Sequence, residues 1–469
     1  MKRSFRHISV ILILVMITGA LAACGGKSSN YGLNPKNPVT VTLWYVANDK
    51  RSEAYEKMIK EFNETEGVTR GIIVEAERYE SEKKLSEAAL AENASLPDMI
   101  GVSAASDVLY NKSIQFADIN KLVAVNTKEN IFEEYITAGT YGENREWRLF
   151  PVVKDTYVMG VNPVLWSSFM EETEHYTSEL NLWQSCSVVG QVYFDYRAQS
   201  MMIVSNPADY IIMGSAQLGN PLISNEGPNI VFRVDGNTFR SLWENYYGSI
   251  VEGGFTTPKG KNLSDIKDGI VPVMTMKTSE VSEIGINTAT EGNALAVGAY
   301  EIIPYPQFNA DKPVCPVDDT GIAIIHKDDT LDFASELFLE WLTSDEINLK
   351  LACIAGGLPV NKNLVSTEVL ETYISENWKS MSELETKTLR VAMQQYVDSQ
   401  VYMPAISEKY GRLIDYLDNC MTDEAVRDRN SADDQEAVGI KRSDSVVKFV
   451  SDDHFGLWIA DFKSGLPQE

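Results

Sequence analysis

Residues Thr320–Asn361 read TGIAIIHKDDTLDFASELFLEWLTSDEINLKLACIAGGLPVN, and this stretch decides the fold. Its first apolar run, Gly321–Ile325, predicts a buried strand because a charged turn follows it directly. Apolar residues then recur at a 3.6-residue period up to Leu342, which predicts an amphipathic helix with Asp329 or Thr330 as its cap. The stretch therefore begins as a strand followed by a helix.

The second half of the stretch predicts another helix and an extended segment. Acidic residues open the helix at Ser344–Glu346, Gly356–Gly357 end it, and Leu358–Asn361 must be extended around its proline. The order resembles the C-terminal signature of the family 1 extracellular solute-binding proteins, receptors of ABC importers that include the maltose-binding proteins. In that family "T-S-x-E" precedes a "G-x-L-P" crossing between two lobes. Any α/β enzyme with a strand, two helices and a turn is the alternative.

The start of the mature chain predicts a parallel sheet. Strands are predicted at Val39–Val46, Ile72–Val74 and from Leu96 to Ile100, with amphipathic helices between them. Short connections in a β-α-β-α-β order favour parallel pairing. The segment Pro97–Ile100 resembles the family's "P-D" strand, and Leu149–Tyr157 resembles its "L-P-x-x-x-(D/E)" hinge.

The resemblance implies an α/β fold of two lobes, the type II periplasmic-binding-protein architecture. Each lobe would hold a mostly parallel sheet flanked by helices, and hinge crossings would join the two. The predicted boundaries are 39–153 plus 303–357 for the first lobe and 154–302 plus 358–469 for the second. The charged segment Arg427–Glu436 has no apolar period and is predicted to be a loop.

The N-terminus predicts export. Three basic residues precede a short apolar core at Ile8–Ile17, which is too short to span a bilayer. Leu21–Cys24 then resembles the lipobox of bacterial lipoproteins, which implies cleavage after residue 23 and a diacylglyceryl group on Cys24. Residues 24–38 would form a flexible tether. A plain secretory signal with an incidental cysteine is the alternative.

Composition limits the classes of partner. The 469-residue chain has a formal net charge of −26, which repels phosphate backbones and argues against nucleic-acid binding. The cysteines after the lipobox lack C-x-x-C spacing, so no metal site is predicted. Disulfides and buried free thiols both remain open for Cys186, Cys315, Cys353 and Cys420.

Candidate ligand residues follow the predicted strands or lie at the hinge, because a cleft between lobes is lined by strand ends and the loops after them. For several of them the sequence leaves a structural alternative open. Either Trp44 or Tyr45 could pack in the core, as could Tyr410. Asp49 could cap a helix, and Asp155 could cap a helix or pair across the hinge. Their mix of rings and polar groups suits saccharides. The candidates are Trp44, Tyr45, Asn48, Asp49, Ser103, Asp107, Asp155, Tyr157, Glu280 and Tyr410.

Catalytic motifs such as G-x-S-x-G, H-E-x-x-H and G-x-G-x-x-G do not occur in the sequence. The resemblance implies a lipid-anchored, monomeric receptor on the outer face of a bacterial cell membrane. It would bind a sugar or oligosaccharide by hinge closure, pass it to an ABC permease, and need no cofactor. A secreted glycoside hydrolase is the alternative, because its two carboxylates leave no local motif. A surface adhesin is a third class, but it would not need the hinge.

Overall fold

The computed structural model describes residues 31–141, 144–226, 229–258, 266, 269–284, 300–404 and 410–467. The predicted signal peptide, Cys24 and the first part of the tether lie outside these residues. No helix among the described residues combines the length and the apolar character needed to cross a membrane.

The strands are β1 Val39–Val46, β2 Ile72–Tyr79, β3 Met99–Ser103, β4 Thr140–Tyr141, β5 Glu146–Trp147, β6 Val153–Lys154, β7 Tyr157–Val161, β8 Met202–Ile203, β9 Ile223–Glu226, β10 Asn229–Phe232, β11 Phe255–Thr256, β12 Val273–Lys277, β13 Glu301–Pro304, β14 Val314–Pro316, β15 Thr320–Ile324, β16 Leu358–Pro359 and β17 Gln400–Tyr402.

The α-helices are Asp49–Glu64, Glu66–Arg70, Glu82–Ala89, Ile119–Leu122, Val125–Asn130, Glu133–Ala138, Pro163–Thr173, Trp183–Arg197, Pro207–Gln217, Gly236–Trp243, Ser249–Glu252, Val281–Ile284, Asp329–Leu342, Asp345–Ala355, Thr367–Asn377, Glu383–Asp398, Tyr410–Cys420, Thr422–Ala437, Arg442–Val446 and Asp452–Gly465. A π-helical turn at Glu244–Gly248 and short 3-10 helices, among them Asp107–Tyr110 and Thr278–Glu280, complete the list.

The first sheet has the order β15-β3-β1-β2. Strand β1 pairs in parallel with β2 and β3, whereas β15 returns antiparallel to β3. The helix Asp329–Leu342 packs on this sheet, and its Phe338 ring lies 5.0 Å from that of Phe62. These elements confirm the strand and helix predicted from Gly321 to Leu342. The cap is Asp328, not Asp329 or Thr330, because its carboxylate accepts the free N–H groups of the first turn.

The second sheet has the order β11-β8-β12-β7-β13. Strand β8 pairs in parallel with β11 and β12, and β7 pairs antiparallel with β12 and β13. Large aromatic side chains form the core on one of its faces, with the Trp183 ring edge-on to Tyr210 at 4.7 Å. Aliphatic and methionine side chains such as Met276 fill the other face.

The chain passes between the sheets beside short antiparallel pairings. Strand β6 pairs with β16, so the predicted extended crossing at residues 358–361 lies against the crossing that leads into β7. The bridges Phe150–Ile322 and Thr156–Val317 fix the same segment along the approach to β15. The result is two lobes joined by crossing strands, while the residue boundaries of the lobes stay a prediction.

One local prediction is wrong. The segment predicted as a loop at Arg427–Glu436 belongs to the helix Thr422–Ala437. Its buried positions are the small residues Ala425 and Ala432, which give too weak an apolar period to detect, while Ala, Glu, Gln and Arg all favour a helix. The four cysteines named above are free thiols, which decides the alternative left open by the sequence.

Candidate functional site

A cavity of about 210 Å³ lies between the two lobes, and we call it the cleft. The first lobe contributes the end of β3 and the residues that lead into β15. The second lobe contributes β7, the end of β12 and the helix Pro207–Gln217, and the helix Tyr410–Cys420 closes one side. The residues that line it are Ser103, Ala105, Tyr157, Asn206, Ala208, Asp209, Met213, Lys277, Val317, Asp318, Asp319, Pro404, Tyr410, Ile414 and Asp418.

Two charged groups of the cleft, Asp319 and Lys277, form no ion pair with another described residue. No hydrogen bond or ion pair from the described residues reaches the Asp319 carboxylate, and burial raises its pKa to about 6. The Lys277 ammonium lies 5.9 Å from the centre of the Tyr157 ring. Burial opposes the charged form of Lys277, but the carboxylates of Asp209 and Asp318 outweigh that effect and raise its pKa. The cleft thus offers both an acceptor and a donor to a polar ligand.

Two tyrosines add ring surface to these charges. The Tyr157 hydroxyl donates a 2.5 Å hydrogen bond to Asp209 Oδ2, and burial together with this carboxylate raises the tyrosine pKa well above its ordinary value. Tyr410 is only 4% exposed, and burial raises its pKa as well. Rings that keep an apolar face beside carboxylates are the surroundings that a polyhydroxylated ligand needs.

Both carboxylate oxygens of Asp155 accept hydrogen bonds from other residues of the protein. Its Oδ2 accepts from Arg51 Nη2 at 2.9 Å and from the Ser279 hydroxyl at 2.9 Å. Its Oδ1 accepts from the Thr278 hydroxyl at 2.9 Å and from the Ser279 backbone N–H at 3.0 Å. The residue is 3% exposed and joins a first-lobe helix to the 3-10 turn after β12. This geometry favours the structural alternative, a pairing across the hinge; a ligand contact by Asp155 stays an untested prediction.

A second buried carboxylate completes this hinge network. Asp318 accepts from Arg51 Nη1 at 3.2 Å and from the Thr320 hydroxyl at 2.9 Å. The Lys154 ammonium lies 3.9 Å from its other oxygen and donates to the backbone carbonyls of Asp318 and Thr320. Arg51 and Lys154 outweigh the effect of burial on Asp318 and lower its pKa. Arg51 therefore joins the carboxylates of Asp155 and Asp318 across the hinge, while Arg51 Nε and Asp318 Oδ1 have no hydrogen-bond partner among the described residues.

A smaller cavity of about 90 Å³ lies beside the cleft in the first lobe, and we call it the side pocket. Ser103 lines both cavities. The side pocket also contains Tyr45 and Arg51, together with Glu82 from the start of its helix. Burial raises the pKa of the Glu82 carboxyl to about 7.

Four of the ten candidate residues line these two cavities. Ser103, Tyr157 and Tyr410 line the cleft, and Tyr45 lines the side pocket while its hydroxyl lies 3.0 Å from that of Ser52. The ligand roles predicted for them are not tested by their positions. The placement of Ser103 agrees with the rule that cleft residues come from strand ends, whereas Tyr157 starts β7 and Tyr410 starts a helix.

Apart from Asp155, which belongs to the hinge network, the remaining five candidates have other contacts. The Trp44 ring packs on Tyr79 at 5.2 Å. Asn48 caps the helix Asp49–Glu64 and donates to the Ser279 hydroxyl at 2.9 Å, so it reaches the second lobe. Asp49 is exposed and pairs with Arg78, Asp107 is exposed in its 3-10 helix, and Glu280 accepts from the backbone N–H of Lys277. None of the five lines the cleft or the side pocket.

Sequence reasoning missed Asp209, Lys277 and Asp319. Lys277 ends β12 and Asp209 follows β8 within a few residues, so the strand-end rule applied to the second sheet would have found both. Asp319 precedes its strand, and no sequence signal places it in the cleft.

Away from the cleft, one group among the described residues combines metal-ligand types. Glu424, Asp428 and His454 hold their ligand atoms within 4.8 Å of one another. His454 Nε2 lies 3.0 Å from Asp428 Oδ2 and 3.6 Å from Glu424 Oε1, and the Tyr247 hydroxyl lies 2.6 Å from the same nitrogen. These contacts join the helix Thr422–Ala437 to the helix Asp452–Gly465, so they have a structural role without a metal.

Comparison with known families decides the class of protein. Residues 57–384 match the family described as bacterial extracellular solute-binding protein. The chain belongs to this family. Its members bind solutes outside the cytoplasm, which is consistent with a cleft between two lobes. A search of curated protein sequences finds no match.

Solved structures of binding proteins share the fold at low sequence identity. The cyclic α-maltosyl-1,6-maltose binding protein of Arthrobacter globiformis is 13% identical, with a TM-score of 0.60 over 90% of this chain and 99% of that one. The GacH receptor of Streptomyces glaucescens, solved with acarbose, is 13% identical, with a TM-score of 0.62 over 91% and 98%. UgpB of Mycobacterium tuberculosis, solved with glycerophosphocholine, is 14% identical, with a TM-score of 0.61 over 92% and 99%. They confirm the two-lobe type II architecture.

Proposed function

We propose that this solute-binding protein captures a sugar or oligosaccharide in the cleft and delivers it to the permease of an ABC importer. The observation that carries the proposal is the lining of the cleft, where tyrosine rings lie beside the Asp319 carboxylate and the Lys277 ammonium, neither of which forms an ion pair with another described residue. Sugar hydroxyls donate and accept hydrogen bonds, while sugar C–H faces pack on rings. One relative named above is described as a binding protein for cyclic α-maltosyl-1,6-maltose and another was solved in complex with acarbose, which supports the same class.

Hinge closure supplies the mechanism that we propose. Ligand contacts from both lobes exist together only when the lobes are close, so the ligand biases the protein toward the closed state. Ser103 and Asp319 would hold the ligand from the first lobe, and Tyr157 and Lys277 from the second. The crossing pairs β6–β16 and Thr156–Val317 would act as the pivot. The closed form would then dock on the permease.

A ligand screen tests the class of solute. We expect thermal stabilisation of the mature protein by one or a few saccharides, amounting to about 2.7 kcal/mol at a hundredfold excess over Kd. Glycerophosphocholine and amino acids are tested in the same screen as ligands of other chemical classes. Stabilisation by one of these and by no saccharide would contradict the proposal.

A turnover assay separates this proposal from the glycoside hydrolase. The bound saccharide should be recovered intact after prolonged incubation. Release of a shorter sugar that disappears in an Asp319→Asn variant would identify a hydrolase instead, since glycoside hydrolysis needs carboxylates at the bound sugar.

We also propose that a diacylglyceryl group on Cys24 anchors the protein to the outer face of the cell membrane. The Cys24→Ser variant should leave the membrane fraction or accumulate as a precursor, because two acyl chains are needed for stable anchoring. Mass spectrometry of the N-terminal peptide checks the modification. An unmodified peptide in membrane-bound wild-type protein would remove the anchor from the proposal.

A further inference from the structure

The side pocket contains buried polar atoms that the protein leaves unsatisfied. Glu82 Oε1 and Arg51 Nε are both buried, and neither has a hydrogen-bond partner among the described residues. Arg51 itself is 7% exposed, and its two terminal nitrogens are occupied by Asp155, Asp318 and Thr320. One acceptor and one donor therefore remain free in the same small cavity. Such groups are rare in folded proteins, because burial without a partner is costly.

The chemistry of this pair selects its partner. A carboxylate or phosphate would meet the Glu82 carboxyl, and an ammonium would meet the Arg51 guanidinium, so either charge is repelled by one of the two. A hydroxyl donates to Glu82 and accepts from Arg51 with the same oxygen. The valine side chains that complete the wall, among them Val46 and Val102, suit a methylene group.

The size of the side pocket limits how much of a ligand can enter. The side pocket, at about 90 Å³, has less than half the volume of the cleft, at about 210 Å³, so the cleft is the place for a sugar ring and the side pocket for a smaller group attached to it. Because Ser103 lines both cavities, a ring in the cleft can extend an exocyclic group into the pocket. The Asp319 carboxylate in the cleft is also close enough to the Glu82 carboxyl to raise its pKa by charge repulsion.

We infer that the side pocket binds the exocyclic hydroxymethyl group of a hexose whose ring lies in the cleft, with Glu82 and Arg51 Nε holding its hydroxyl. This inference rests on the proposed function and narrows it. The protein selects hexoses over pentoses, which lack the group, over 6-deoxy sugars, which lack the hydroxyl, and over uronic acids, which replace it with a carboxylate.

Matched saccharides test the inference by calorimetric titration. The probes are glucose, galactose and mannose and their disaccharides, each with its 6-deoxy, pentose and uronic acid counterparts. We expect the best hexose ligand to lose about 10- to 100-fold in affinity when the 6-hydroxyl is missing, the equivalent of a lost hydrogen bond to a charged group. The uronic acid should bind no better than the pentose.

The Glu82→Gln variant assigns that preference to the side pocket. It should weaken the hexose about 10-fold and leave the pentose unchanged, so the gap between them narrows. Glu80→Gln is the matched control, because Glu80 is exposed two residues away and should leave both affinities unchanged. Val46→Ile, which adds a methylene to the pocket wall, should also weaken only the hexose.

The outcomes separate the inference from the proposed function. Equal binding of hexose and pentose, or a hexose preference that survives in Glu82→Gln, overturns the inference while the saccharide receptor stands. Binding of none of the saccharides overturns the proposed function, and the inference falls with it.

Discussion

The hinge and the cleft hold buried charges in opposite ways. At the hinge, the Asp155 carboxylate accepts four hydrogen bonds and Asp318 lies between Arg51 and Lys154. In the cleft, the Asp319 carboxylate has no hydrogen bond or ion pair from the described residues, although it directly follows Asp318 in sequence. Asp318 is therefore paired with charged groups of the protein itself, whereas its neighbour Asp319 is not.

This difference separates charges that stabilise the fold from charges that wait for a ligand. A buried carboxylate with a complete set of donors contributes to stability, and removing it leaves its partners uncompensated. A carboxylate without donors costs stability until a ligand supplies them, which is typical of functional sites. The pKa values follow the same division, because that of Asp318 is lowered while that of Asp319 is raised to about 6.

Replacing Asp155 should have the largest effect on the fold. In Asp155→Ala, Arg51 loses its 2.9 Å partner while it remains buried, and removal of one member of a buried ion pair typically costs about 3–5 kcal/mol. We expect a corresponding drop in the free energy of unfolding, measured with denaturant, and a smaller drop for Asp155→Asn. Unchanged stability with a weakened ligand affinity would reverse the assignment and restore Asp155 as a ligand contact.

The same contrast explains what the sequence could predict. The first sheet and its helices follow from local periodicity. The apolar side chains that recur from Phe333 to Leu342, for example, define one face of a helix without any knowledge of the residues it packs against. The helix Thr422–Ala437 escaped detection because alanine, not a larger apolar residue, fills its buried positions.

The site was predictable where it depends on a strand end or on the hinge segment. Ser103 was found because it ends a strand that faces the cleft, and Tyr157 was found because it lies in the segment that resembles the family's hinge. The role of Asp155 depends on Arg51, which is 104 residues away in sequence, and on a turn from the other lobe. Such long-range partners are created by packing, so periodicity and spacing carry no record of them.

Replacing Asp319 should affect binding and not folding. If ligand hydroxyls donate to its carboxylate, each bond contributes about 1.5–3 kcal/mol, so Asp319→Asn should raise Kd by roughly 10- to 150-fold. The ligand-free protein should melt at the same temperature or higher, because a half-buried charge without donors among the described residues is removed. Asp318→Asn is the matched comparison and should instead lower the melting temperature. Equal destabilisation by both substitutions would erase the distinction between hinge and cleft.

Glu82 makes the comparison sensitive to pH. Its pKa is about 7 in the folded protein against an ordinary value of 4.5, so the folded state holds this proton more tightly than the unfolded chain. The associated stability is fully present below pH 4.5 and is lost as the pH rises through 7. Glu82→Gln removes this loss, and we expect the variant to gain about 1–2 kcal/mol over the wild type between pH 5 and pH 8, after allowance for partial exposure. Unfolding profiles that stay parallel across that range would show that Glu82 is solvated in the folded protein.

The smallest effect is expected at Asp49, which has the third kind of environment, an exposed ion pair. Its side chain is 94% exposed and lies 2.8 Å from an Arg78 nitrogen. Exposed pairs contribute about 0–1 kcal/mol, since water screens both charges and the long side chain of arginine must be ordered. Its position in the first turn of the helix Asp49–Glu64 adds a favourable interaction with the helix dipole of similar size. Asp49→Ala should therefore lower the free energy of unfolding by less than about 1 kcal/mol, with most of the effect gone at 1 M salt.

The ligand affinity of Asp49→Ala should match that of the wild type in the same titrations, because the carboxylate lines neither the cleft nor the side pocket. A tenfold or larger rise in Kd would show that the loop after β1 reaches the ligand on closure, and the ligand contact predicted for Asp49 from the sequence would then stand.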